Sequence, residues 1–281
     1  MMKKIGVLFS FLLFLNCQNF GKLKLITDLP KDLEEVSGTE IVPKSDLIWM
    51  INDSGNAPVL FGLNEKGKIV KEIYIKAKNH DWEDLASDEK GNIYIGDFGN
   101  NLNKRRNLSI IIVDKNELDE KKTEVDRIEF VYPNQTKFPP KKKNKYFDAE
   151  SFFYFKASLY IFTKSRVKGK FGKTTLYKIP AKKGKYTAEI VGKFENCKDL
   201  ECWITSADIS PNGKKVALLS QKNVLIFSDF KDDKFLSGKV TKIDLKHRYQ
   251  KESITFKDNN TLLITDEKAH NTGGFLYELK I

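Results

Sequence analysis

The sequence predicts an all-β fold, a five-bladed β-propeller of four-stranded blades, closed by an N-terminal strand that completes the last blade. Three observations carry that expectation. Short apolar runs rich in Val, Ile, Phe and Tyr alternate with Gly, Asn and Asp turns, the composition of strands and hairpins rather than of helices. One pattern, an acidic or hydroxyl residue followed by strands and their turns, occurs five times. The units recur roughly every 54 residues, so five of them use up the 281-residue chain beyond its leader.

The leader comes first. Met1-Met2-Lys3-Lys4 is a short basic region, and residues 5–15 are an apolar run of signal-peptide length. The run ends at Leu15-Asn16-Cys17 before polar Gln18 and Asn19, which resembles a bacterial lipobox. The expected organisation is a signal peptide over 1–16, a tether over 17–22 that begins at a lipidated Cys17, and one propeller domain over 23–281. An exported lipoprotein follows, held by its lipid to a membrane on the periplasmic side or at the cell surface. An ordinary cleaved signal would instead leave Cys17 incidental. No later apolar stretch approaches the roughly 20 residues that cross a bilayer.

The blades follow in order. The first opens at Glu35-Val36-Ser37-Gly38 and continues with strands at 47–52 and 59–63. The second opens at Trp82-Glu83-Asp84-Leu85-Ala86, with strands at 92–96 and 108–113. Asp148-Ala149-Glu150-Ser151-Phe152 opens the third, before strands at 158–163 and 174–179. Ile204-Thr205-Ser206-Ala207-Asp208 opens the fourth, before strands at 215–220 and 223–227. Lys251-Glu252-Ser253-Ile254 opens the fifth, with strands at 261–265 and 274–279. Lys90-Gly91-Asn92, Pro211-Asn212-Gly213 and Asp258-Asn259-Asn260 are hairpin turns between first and second strands. A fourth strand is expected at 69–75, 127–132, 188–194 and 239–245, and residues 134–145 read as a loop insertion. The fifth unit has only three strands, and residues 23–27 can supply its missing edge. A β-sandwich would have similar strand content, but it does not explain why an acid or a serine opens every unit.

Charge and cysteines narrow the setting. The formal charge is +11, yet the lysines, runs such as Lys141-Lys142-Lys143 included, are scattered through turns along the chain. A solvated basic surface is expected, with no nucleic-acid partner and an attraction to anionic ligands or lipid head groups. Cys197 and Cys202 lie in one polar segment and could close a small disulfide loop in an oxidising space. Two thiols without a second pair make a poor metal site. Propellers complete their core without a partner, so a monomer is expected.

In a propeller the first strand of each blade lines the axial channel. Ser37, Glu83, Glu150, Ser206 and Glu252 are therefore expected as a ring around one mouth. Three converging carboxylates repel one another unless protonated or neutralised. A hard divalent cation, calcium best, relieves this with oxygen ligands in flexible geometry. Ordered water, with the acids turned to solvent, is the alternative.

The order serine, glutamate, glutamate, serine, glutamate resembles the calcium-activated nucleotidases (apyrases) of five-bladed fold. So do the strings Glu35-Val36-Ser37, Glu83-Asp84-Leu85-Ala86, Glu150-Ser151, Ser206-Ala207 and Glu252-Ser253-Ile254. The resemblance implies that these five positions hold a central calcium ion and that nucleoside di- and triphosphates are hydrolysed. Asn52-Asp53-Ser54-Gly55-Asn56 and Gly96-Asp97-Phe98-Gly99-Asn100 also resemble uncharacterised exported bacterial propeller lipoproteins. That second likeness implies no activity.

Loops after the second strands rise around the same mouth, because antiparallel pairing puts each second strand's end beside the first strand's start. They carry Asp53, Asn56, Asp97, Asn100, Arg105, Lys164, Arg166 and Asp266. Asp53, Asp97 and Asp266 are candidates to position or deprotonate a metal-bound water, or are turn-forming aspartates. Asn56, Asn100, Arg105, Lys164 and Arg166 are candidates for an anionic or phosphate ligand. Two functions stay open. One is a binding or scaffold lipoprotein for an anionic small molecule or protein partner, and the other is a calcium-dependent phosphohydrolase. The sequence has no Gly-x-Ser-x-Gly elbow, no P-loop and no His-Glu-x-x-His.

Overall fold

The computed structural model describes residues 19–270 and 272–281. The leader and Cys17 lie outside the described residues, so the signal-peptide and lipid expectations fall there. Five sheets, each antiparallel through its four blade strands, form in chain order, and their inner strands are Val36–Ile41, Trp82–Ser87, Asp148–Phe155, Ser206–Ile209 and Lys251–Asp258. Each inner strand packs against the next, and the last packs against the first, so the ring closes about one axis. No helix among the described residues is long and apolar enough to cross a membrane.

Period-two alternation explains how the blades hold together. Ile93 and Ile95 point into the apolar cluster shared by blades 1 and 2, while Tyr94 between them points into the cluster shared with blade 3. Tyr160 and Leu263, at the matching places in their second strands, likewise face the following blade. Five such clusters fill the five blade interfaces. The last interface closes through the N-terminal strand Lys24–Asp28, which pairs with Phe275–Lys280, Lys24 opposite Glu278. The expected strand began one residue earlier.

Blade size needs a correction. Blades 1 and 2 have five strands rather than four. Lys122–Thr123 runs parallel to the outer strand Ile69–Ile75, and Gly184–Thr187 runs parallel to the outer strand Asp126–Val131. Each added strand comes from the connection between the third and fourth strands of the next blade. These crossovers cover two outer edges that would otherwise expose unpaired backbone groups.

Candidate functional site

The mouth is built by a register slip repeated from blade to blade. Pairing moves from Val36–Asn52 to Gly38–Ile51, which leaves Ser37 unpaired. The same slip falls between Trp82 and Leu85, at Glu150, and at Glu252. A bulge turns the extra side chain out of the ordinary alternation, here toward the axis. In blade 4, Ser206 pairs with Leu219, whose carbonyl also accepts from the Thr205 amide at 3.1 Å. Thr205, not Ser206, therefore occupies the ring position of that blade.

A pocket of about 300 Å³ opens there. Its lining includes Ser37, Glu83, Glu150, Thr205 and Glu252 from the inner strands, with Asp53, Lys164 and Arg166 from the loops and second strands. Ser206 lies one step deeper. Its Oγ donates to Asp84 Oδ2 at 3.0 Å and accepts from the Ile254 amide at 3.0 Å.

Two electrostatic halves divide the pocket. On one side Glu150 is held by both basic groups: Lys164 Nζ lies 2.7 Å from Oε2, and Arg166 Nη2 donates to Oε1 at 3.0 Å. Arg166 Nε also donates to Asp148, and both cations stack on the Trp203 ring, 5.0 and 4.8 Å from its centroid. Burial acts to raise the Glu150 pKa, but Lys164 and Arg166 outweigh it and hold the carboxyl below its ordinary value. On the other side, carboxylate oxygens of Asp53, Asp81 and Glu83 lie within 4.8 Å of one another. Burial, then the charges of Glu150, Asp53 and Asp81, drives Glu83 well above its ordinary value. Burial likewise pushes Asp53 up to about 6, against the Ser54 amide that favours its charged form, and it raises Asp81. Glu252, also raised chiefly by burial, reaches about 8.

Gly99 makes this crowding sterically feasible. A Cβ there would stand 2.0 Å from Glu83 Oε1 and 2.5 Å from Asp81 Oδ2, so only glycine leaves room for both carboxylates. The buried Ser37 Oγ, on the neighbouring inner strand, has no hydrogen-bond partner. Hard oxygen donors, mutual repulsion and an unsatisfied hydroxyl together fit a hard divalent cation.

Other candidates sit elsewhere. Asp97 is fully buried, accepting from Arg105 Nη2 at 2.8 Å and facing His80 Nδ1 at 2.9 Å. Asp266 is fully buried too, bound to Lys251 Nζ at 3.0 Å, the Tyr277 hydroxyl at 2.7 Å and the Phe275 amide at 2.9 Å. Neither lines the pocket. Asn100 is a buried strut whose amide donates to Asp148 Oδ1 at 2.7 Å, and Arg105 is spent on Asp97 and the Gly99 carbonyl. Asn56 donates to Glu35 Oε2 at 2.6 Å at the pocket's outside. Cys197 and Cys202 form a disulfide with their Cα atoms 5.6 Å apart, so neither sulfur is a thiolate donor to a metal.

Sequence reasoning missed Asp81, Thr205 and Trp203. Asp81 stands two residues before Glu83, and that short spacing was the available signal.

No family model matches the sequence, and no curated protein does. Among solved structures, a gluconolactonase from Xanthomonas campestris is similar, with a TM-score of 0.50 at 12% identity over 92% of this chain and 89% of that one. A nidogen/laminin complex gives a TM-score of 0.48 at 9% identity, covering 82% of this chain and 72% of that one. A catalytically inactive virginiamycin B lyase from Staphylococcus aureus, with quinupristin, gives 0.43 at 10% identity, covering 90% and 68%. At such identities the likeness is one of fold alone: this chain is a five-bladed β-propeller whose site must be read from its own residues.

Proposed function

We propose that the mouth binds calcium through Asp53, Asp81 and Glu83, with Ser37 beside them, and holds an anionic group against Lys164 and Arg166. The protein so described is an exported, lipid-anchored binding propeller. The single observation behind this reading is a cluster of three mutually repelling carboxylates, of which Asp53 and Glu83 line the pocket, in the same pocket as a cationic pair. A cation placed among Asp53, Asp81 and Glu83 lowers their repulsion and can take an oxygen of an anion as a further ligand, with Arg166 Nη1, which neither Asp148 nor Glu150 engages, beside it. Glu150, saturated by two cations, then orders those cations rather than the metal. Glu252, Thr205 and Glu267 complete the rim. Ser206 supports the layer beneath.

A second reading has one specific observation in its favour. Asp53, with its pKa pushed up to about 6 by burial, belongs to the acidic cluster and lines the same pocket as Lys164 and Arg166, a setting suited to accept a proton near neutral pH. Calcium-dependent hydrolysis of a phosphate ester or anhydride is the reaction class that setting fits, in line with the apyrase resemblance. The deciding experiment is phosphate release from a panel of nucleotides and phosphate esters, with calcium and with chelator. Calcium-dependent release that Asp53→Asn abolishes makes the protein a hydrolase. No release, with calcium still raising the melting temperature, makes it a binder. No release and no calcium effect would sink both.

A further inference from the structure

The way the chain enters the propeller gives the molecule a direction. Phe20 packs edge-on into a box of His247, Phe275 and Tyr277, at ring-centroid distances of 5.4, 5.6 and 5.5 Å. Two hydrogen bonds, one to a carboxylate and one to a backbone carbonyl, place that box at the pocket end. The Phe275 amide donates to Asp266, whose strand partner is Lys251, next to Glu252 of the ring. The Lys22 amide donates to the Leu245 carbonyl at 3.0 Å, and Leu245 follows Asp244, the partner of Asn223 at the Ser206–Leu219 end of blade 4. Phe20 and Lys22 therefore meet the body on the mouth side, ahead of the strand Lys24–Asp28, which starts opposite Glu278 and runs to the mouth at Asp28.

Two further observations fall on the same face. Of the large apolar side chains exposed in the described residues, Val70, Tyr74, Val131, Ile190 and Val240 lie on outer blade strands. The other two, Leu102 and Leu200, are 54% and 51% exposed and project from mouth-end loops. Leu200 sits inside the loop closed by the Cys197–Cys202 disulfide, which fixes its position. Around them the mouth-end loops expose Lys104, Arg106, Lys142, Lys168, Lys170 and Lys246. Leu102 stands beside Lys104 and Arg106, and Leu200 has Lys198 near it as well as Asp199 and Glu201, on a rim where exposed lysines outnumber exposed acids; apolar tips enter an anionic bilayer interface while the lysines meet head groups.

We propose that the mouth end is the membrane-facing surface of this protein, held against an anionic bilayer by Leu102, Leu200 and the surrounding lysines. The proposal rests on the reading of Cys17 as the lipidated residue. Cys17 precedes Phe20 by three residues, which span at most about 11 Å when fully extended. A lipid at that position keeps the blade 4–5 side of the mouth close to the bilayer, and lipid and basic patch act as the two signals that stable anchoring needs. The calcium and anion pocket then opens toward the bilayer.

The test uses the full chain reconstituted in vesicles of phosphatidylglycerol and phosphatidylethanolamine. Leu102→Cys and Leu200→Cys report on the mouth end, and Lys66→Cys and Lys90→Cys on the far-end turns. Each carries an environment-sensitive fluorophore, quenched by nitroxide-bearing lipid. The expected result is quenching at 102 and 200 at least roughly threefold stronger than at 66 and 90. Equal quenching at both ends, or stronger quenching at 66 and 90, overturns the orientation. Intact mass of the wild type and of Cys17→Ser tests the anchor separately. A wild type without the added lipid mass overturns the Cys17 reading, and with it the tether argument, whatever the fluorophores report.

Discussion

The two ends of the axial channel both bury acids, and they handle the charge differently. At the mouth, Lys164 and Arg166 neutralise Glu150, while Asp53, Asp81 and Glu83 crowd one another and Asp53 and Glu83 line a pocket open to solvent. At the far end, Glu40 and Asp208 have no lysine or arginine partner among the described residues. They are bound by neutral donors instead: Ser87 Oγ reaches Glu40 at 2.6 Å, and the Phe256 and Ile209 amides reach Asp208 at 2.6 Å. Thr255 Oγ1 stands between them, 3.4 Å from Glu40 and 3.2 Å from Asp208. A hydroxyl has one proton and can donate to only one of the two, so the other contact is made when that acid is itself protonated. Burial and the charge of Asp208 push Glu40 well above its ordinary value, and burial brings Asp208 to about 7. The lesson is that acids at the two ends of the inner strands crowd an open pocket or are held by neutral donors in the interior, according to whether room and counter-charge adjoin them.

The sharpest way to break the comparison is to remove the counter-charge. Arg166→Ala leaves Asp148 buried and Glu150 short of one partner, and is expected to cost about 3 kcal/mol in chemical denaturation. A loss below about 1 kcal/mol would mean that the mouth does not depend on buried pairing. Gly99→Ala drives a methyl group into the Glu83 and Asp81 carboxylates. It is expected to cost about 2 kcal/mol and to weaken calcium binding, and a variant with unchanged affinity would show that the crowding is incidental.

pH separates the two ends. An acid whose pKa is higher in the folded chain keeps a proton that the unfolded chain releases. The stability it contributes is whole below the unfolded value near 4 and is lost as pH rises through the folded value. For Asp208 that window runs up to about 7, and for Asp53 up to about 6. Stability is therefore expected to fall from pH 4 to pH 7. Asp208→Asn should flatten the fall between pH 4 and pH 7 with or without calcium, while calcium should cancel only the part due to the mouth. A variant as pH-dependent as the wild type would refute a proton held at the far end. The smallest effect belongs to the surface: Lys142→Glu is expected to change stability by less than about 0.5 kcal/mol, and a larger shift would give that loop a structural role.

Much of the architecture was legible because it depends on local rules. Alternation put Tyr94, Tyr160 and Leu263 on matching faces, and the acid or hydroxyl openings marked every inner strand. Strand pairing across the sheet decided the rest. Thr205 and Ser206 are adjacent hydroxyl residues, and only the register with Leu219 tells which one faces the pocket. Asn52, Asp97, Lys164 and Asp266 pair with the residues that start four of the inner strands, yet Lys164 reaches the mouth while Asp97 and Asp266 turn inward to Arg105 and Lys251. The sequence carries no local sign of that choice. The fifth strands of blades 1 and 2 are short and mostly polar, and their pairing partners lie on another blade.

Calcium titration by calorimetry tests the account most directly, with the wild type, Glu83→Gln and Asp208→Asn compared at neutral pH. One saturable site is expected in the wild type and in Asp208→Asn, with affinity in Glu83→Gln weakened at least tenfold, about 1.4 kcal/mol. Absence of binding in the wild type, or full affinity in Glu83→Gln, would contradict the assignment of the metal to the mouth.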